Sequence, residues 1–232
     1  RAPSTSVLNR LGSDDAGTVK GVANYMRLAY LSDQKRSNWS TGLVYFGANM
    51  HPLDGQGLRT SEATDNYTDF GVDGSYQFLG NRDHIFTLTS SYIHEKRNLG
   101  YTYVADNLDQ AKTSANQFRI AGSYHYLQHY GATLGWFDNR ATADGSYLGS
   151  VGTAGPSSLS NRIDTSGYTL QVDWTPWGKE TSWLAPNANT KLGMQYTGYR
   201  RYLGGASYID GSGNQRNAKD NNTLMFLIWT SI

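Results

Sequence analysis

Between Asp69 and Phe78 the chain reads DFGVDGSYQF, and every second residue is apolar or glycine. Phe70, Val72, Gly74, Tyr76 and Phe78 fall on one side of an extended segment; Asp69, Gly71, Asp73, Ser75 and Gln77 fall on the other. Two is the side-chain period of a β-strand, so this pattern forces a sheet with one greasy face and one wet face. LGNRD then turns the chain and the alternation resumes at His84.

Nine segments carry this period: Thr18–Leu31, Trp39–Asn49, Asp69–Phe78, His84–His94, Gln117–Tyr126, Tyr130–Asp138, Tyr168–Thr175, Asn189–Tyr199 and Asn222–Ile232. In the fifth, Phe118, Ile120, Gly122, Tyr124 and Tyr126 oppose Gln117, Arg119, Ala121, Ser123 and His125. In the seventh, Tyr168, Leu170, Val172 and Trp174 oppose Thr169, Gln171 and Asp173; the ninth is apolar on both faces. The links alternate as well. SDQKRSN, LGNRD, LQH and the stretch around PWGKETSW are short, whereas Met50–Tyr67, Glu95–Asn116, Asn139–Gly167 and Arg200–Asn221 are long and rich in Gly, Ser, Asn and Asp. Tight turns at one end and long loops at the other are the layout of an outer-membrane barrel.

A sheet with this alternation has two inside-out solutions. A soluble barrel packs the apolar face inward; a membrane barrel turns it to lipid and encloses the polar face. Aromatic placement favours the second. Tyr30, Trp39, Phe78, Phe86, Tyr126, Tyr130, Trp174, Trp177 and Trp183 lie near the short turns, and Tyr67, Tyr92, Tyr101, Tyr103, Trp136, Tyr168, Tyr196 and Tyr199 near the long loops. Such belts mark the two membrane–water interfaces. Mean hydropathy is −0.57, which rules out a helical span but not a β-span of about 10 alternating residues.

The expected fold is therefore all-β: an antiparallel up-and-down transmembrane β-barrel of about nine to ten visible strands. It forms a single domain over residues 1–232, with an irregular segment at 1–17. The expected lumen-lining residues are Asp69, Asp73, Gln77, Arg119, Gln171, Asp173, Lys191 and Gln195. Phe70, Val72, Tyr76, Ile120, Tyr124, Leu170, Val172, Leu192 and Met194 are expected to face lipid. Charges on the polar face either set pore selectivity or pair across strands as a structural ladder. A last strand ending at the periplasmic side puts the first of nine strands at the outer end, whereas bacterial barrels have an even count. The expectation is the carboxyl-terminal part of a larger barrel, or a ten-stranded barrel with STSVLNRL as a short edge.

TSGYTLQVDWTPWG, NTKLGMQYTGYRRYLGG and DNNTLMFLIWTSI resemble proteobacterial outer-membrane barrels found alongside multihaem c-type cytochromes, the porin–cytochrome type. HIFTLTSSYIHEK and YGATLGWFDN resemble the same group, so the likeness covers most of Asp69–Ile232. The resemblance implies a barrel that sheathes or accompanies an electron-carrying cytochrome; lipid and that cytochrome are its implied partners. The chain departs from the common terminal Phe, ending on Ile232.

Cysteine is absent, which removes disulfides, thiolate metal sites, a Cys nucleophile and covalent haem attachment; no cofactor is expected. A net charge of +1 gives no field to draw in nucleic acid. His125 and His129 have helical metal spacing but straddle a strand end and a turn, and His94 reads as a solvated loop residue. DGSGN at Asp210–Asn214 lacks the downstream Glu of a calcium loop and reads as a Gly-rich turn. GTAGPSS has no Lys and is no phosphate loop, and no Gly-x-Ser-x-Gly elbow occurs. The function expected is a porin-like channel or a cytochrome sheath in the bacterial outer membrane, not catalysis. The alternatives are a barrel enzyme or adhesin working through its long loops, and a soluble ligand-binding barrel.

Overall fold

The computed structural model describes residues 18–52, 63–80, 82–105, 108–144, 156–178, 182–184 and 187–231. STSVLNRL and part of GTAGPSS lie outside them. The chain forms β1 (Thr18–Val19), β2 (Asn24–Asp33), β3 (Ser37–His51), β4 (Asp65–Phe78) and β5 (His84–Leu99). A short helix α1 (Thr102–Ala105) follows, then β6 (Lys112–Tyr126), β7 (Tyr130–Ala141), β8 (Thr165–Trp174) and β9 (Asn189–Arg201). A small hairpin, β10 (Ser207–Ile209) and β11 (Gln215–Asn217), precedes β12 (Thr223–Ser231).

The main sheet is an antiparallel meander, β2-β3-β4-β5-β6-β7-β8-β9-β12, each strand bonded to its neighbours in the chain. β1 prolongs the β2 edge along the end of β3, with Gly21 at φ +75° in the kink between them. All four short turns lie at one end and all four long connections at the other, as successive antiparallel strands require. The LQH turn has no glycine, yet Leu127 (φ 52°) and Gln128 (φ 60°) both take the left-handed conformation. Two consecutive left-handed residues match the right-handed twist of the flanking strands.

Three findings qualify the expectations. First, among the described residues the sheet is open: β2 and β12 are not paired with each other. The reason is parity. Nine up-and-down strands leave the two edges running the same way, so they cannot meet as an antiparallel pair. Secondly, several strands outrun their apolar alternation. β5 continues through Glu95–Leu99 and β6 begins at Lys112, because backbone pairing persists where the side chains become polar. His94 is thus a half-buried strand residue, not a loop residue; its Nδ1–H donates to Asn116 Oδ1 at 2.8 Å. Thirdly, Tyr67 pairs with Ala48 and Tyr199 with Gly167, which puts both on the polar face and outside the outer belt. Tyr101 lies in the turn before α1 and Tyr103 within the helix.

The hydrogen-bonded rows climb across the sheet. The row from Ser37, at the turn end of β3, runs through Phe78, Phe86, Tyr124, Ala132, Val172 and Met194 to Phe226. Phe226 is five residues short of Ser231, the turn end of β12. Strand inclination of this kind is what a sheet needs in order to curl into a barrel.

Candidate functional site

The registers sort every strand residue onto one of two faces. Phe70, Val72, Tyr76, Ile120, Tyr124, Leu170, Val172, Leu192 and Met194 all share one face. Asp69, Asp73, Gln77, Arg119, Gln171, Asp173, Lys191 and Gln195 all share the other.

Exposure of the two faces is the reverse of a soluble sheet. Leu43 and Leu134 are each 60% exposed and Val172 52%, whereas Asp173 is 7% exposed. Among the described residues the buried apolar ones are few, namely Ala48, Leu99, Leu108, Tyr208 and Ala218. They sit towards the long-loop end or in the loops. Among the described residues no helix or second sheet packs on the apolar face. A soluble monomer rarely leaves more than a few hundred Å² of contiguous apolar surface open; here it spans all nine strands.

The polar face is built with care. Asp73 lies over Gly42, where an added Cβ would stand 2.7 Å from Oδ2, and the gap lets Arg27 reach across β3 to Asp73 at 2.8 Å. Asp173 lies between its two cross-strand partners, Gly131 and Gly193. It accepts from Gln171 Nε2 at 2.9 Å and pairs with Lys191 at 3.2 Å. The His125 ring and Asp173 Oδ2 both hang over Gly131, near 3 Å from where its Cβ would be. Ser40 and Ser75 bond at 2.8 Å, and Gln77 links Asn38 to Thr87. Glycines opposite carboxylates thus let charged groups lie flat on the wall, where each finds a partner.

Among the described residues there are two exceptions: Asp69, whose Oδ1 is buried without a hydrogen-bond partner, and Arg119. Arg119 stands at the middle of β6, exposed, in the row Asp73–Ser91–Arg119–Phe137. Among the described residues it has no ion-pair partner, while Arg27, Arg97 and Lys191 on the same face are each paired. Sequence reading missed Arg27, because its neighbours on that face of β2, Tyr25, Ala29 and Leu31, hide the polar register. The signal was the cleaner opposite face, Met26, Leu28 and Tyr30.

On the apolar face, aromatic contacts gather at both ends. The Tyr30 and Trp39 rings meet in a tilted pair at 5.2 Å near the turns, and His84 Nδ1 meets Tyr124 Oη at 2.6 Å. Tyr45–Phe70 at 5.2 Å and Tyr168–Tyr196 at 6.1 Å lie towards the loops, with the Arg200 guanidinium 5.4 Å above the Trp136 ring. No protein-family model, curated protein or solved structure matches this chain.

DGSGN closes as a turn. Asp210 accepts from the backbone N–H of Asn214 and Ser212 and pairs with Arg216, with Gly213 at φ +81°. Among the described residues no three His, Asp or Glu side chains converge as a metal set.

Proposed function

We propose that this chain forms the wall of a bacterial outer-membrane β-barrel with a porin-like, water-filled lumen. One observation carries the reading: the apolar face is broadly exposed, while most of the polar face is the more shielded one, Asp173 being 7% exposed. Lipid is the solvent that makes such a sheet stable, since it asks for apolar side chains outside and for every backbone group to be paired within the sheet. Aromatic clusters at both ends, turns short at one end and long at the other, and the climbing register support the same reading. In lipid the edges of β2 and β12 need partners. An odd number of further strands, one at least, would pair both in the antiparallel sense and bring the total to an even number.

The wall holds solute and does no bond chemistry in this reading. Arg119 would be its main uncompensated charge at mid-height, with the neighbouring charges neutralised in pairs. The purified protein in a planar bilayer should give discrete conductance steps with a preference for anions over cations. Arg119→Glu should lower that preference a few-fold without abolishing conductance. Inserted protein that never conducts contradicts the open lumen. The resemblance to the porin–cytochrome type favours a second reading, in which the same polar face surrounds a multihaem cytochrome. Recovery of a haem protein on the affinity-purified barrel, with conductance appearing only once it is stripped away, would decide for the sheath.

A further inference from the structure

The apolar face is not uniformly smooth. A groove of about 780 Å³ runs along it between β5 and β8. Its floor is set by two small residues, Gly122 and Ala132, and its walls by Leu88, Ile120, Leu134 and Leu170. At its loop end it reaches Trp136, which also lines a second, more polar pocket of about 360 Å³ with Tyr92, Asn116, Asp138 and Arg140. The two are therefore one feature: an apolar trough below and a hydrogen-bonding pocket above, sharing one indole.

Charge at the upper end is unbalanced. Arg201 pairs in register with Ser166, and Ser166 with Asp138, so Arg201 sits in the row of Asp138. Arg140 holds Asp138 at 2.8 Å, and Arg200 covers Trp136. Three guanidiniums thus gather near two carboxylates, Asp138 and Asp164, which leaves the region net positive. Asn116 already accepts from Tyr92 and His94 through Oδ1, which leaves its amide N–H groups for a ligand. The trough's lining is mostly apolar, from Phe86 and Tyr124 at the turn end to Trp136 at the loop end, which suits an acyl chain.

We propose that this feature is a binding site for one membrane lipid with a phosphate headgroup, its acyl chain in the Gly122–Ala132 trough and its headgroup beneath Arg200, Arg201 and Arg140. The proposal rests on the membrane reading above. Guanidiniums recognise phosphate oxygens bidentately, and a cation near a membrane surface favours an anionic lipid about fivefold.

The test is native mass spectrometry of the full chain, extracted gently from vesicles of equal parts phosphatidylglycerol and phosphatidylcholine. The wild-type protein should retain phosphatidylglycerol over phosphatidylcholine by about fivefold or more. Arg200→Gln should remove most of that preference while lipid is still retained. Gly122→Leu should fill the trough and lose retained lipid of both kinds; a Cβ at Gly122 meets Phe86 and Leu88 at ordinary contact, 3.8 and 4.0 Å, and an unchanged far-UV circular dichroism spectrum shows that the variant folds. Equal retention of the two lipids, or retention unchanged by both substitutions, overturns the site while leaving the barrel reading intact. A chain that stays in the aqueous fraction of a flotation gradient sinks the membrane reading, and this site with it.

Discussion

Gly167 sits where three strands crowd. An added Cβ there would stand 2.2 Å from the Gly198 carbonyl oxygen and 2.8 Å from the Phe137 ring, beside the register shift at Ser166–Gly167. The nearest atom is backbone, so relief requires the strands to part. Gly167→Ala should cost about 1–3 kcal/mol, read as a lower urea midpoint for the folded protein in vesicles. Gly74→Ala is the control. Its Cβ would meet Ser40 and Ser90 at ordinary contact, 3.6 and 3.7 Å, and the change should stay within about 0.5 kcal/mol. In the loop hairpin, the Asn214 N–H and then Arg216 hold the Asp210 carboxyl below the usual carboxylate range. A depressed folded value means the turn's stabilisation is present above the ordinary pKa and is lost as pH falls through the depressed one. The Ser212 and Asn214 amide resonances should therefore hold steady down to about pH 4 and shift together below it; a shift centred well above pH 4 would contradict the contact. At this scale the sequence was partly legible. Asp73 and Asp173 declared their face by parity, but the glycines that cradle them sit on neighbouring strands, and only a register can bring Gly42 under Asp73 or Gly131 under Asp173.

At the scale of the element, parity decides which substitutions are tolerated. Val172 and Gln171 are neighbours on β8 and point to opposite faces. Val172→Arg should cost about 2–4 kcal/mol if its face meets hydrocarbon, whereas Gln171→Arg should cost about 1 kcal/mol or less. Equilibrium unfolding of both variants in the same vesicles checks the difference, and equal costs would contradict the assignment of faces. All nine strands were legible because apolar alternation persists for at least eight residues in most of them. Their ends were not. Lys96, Arg97, Lys112 and Thr113 have lost the alternation but still pair, Lys96 with Thr68, Arg97 with both Tyr67 and Thr113, and Lys112 with Asn98. Backbone hydrogen bonds extend a ladder beyond the point where hydrophobic burial specifies it. Tyr67 and Tyr199 show the complementary error: position along a strand placed them in a belt, and parity moved them to the other face.

For the whole molecule, the open edges and the open apolar face are the same problem seen twice. A nine-stranded meander in water would expose two strand edges and a greasy surface, each an invitation to aggregate. In a bilayer the surface is satisfied by lipid, and the edges by further strands in a closed ring. Closure could not be read from alternation, because the period of two fixes a face and says nothing of how many strands share it. The direction of curl was legible only indirectly, through loop asymmetry and aromatic placement. The absence of cysteine makes the decisive measurement clean, since a single introduced thiol carries a single spin label. Labels at Val72, Ile120, Leu170 and Val172 should be accessible to oxygen and shielded from a water-soluble nickel chelate in vesicles, and labels at Asp73, Arg119, Gln171 and Asp173 should show the reverse. An accessibility profile without a two-residue period, or with chelate contact at Leu170 and Val172 and protection at Gln171 and Asp173, would contradict the account.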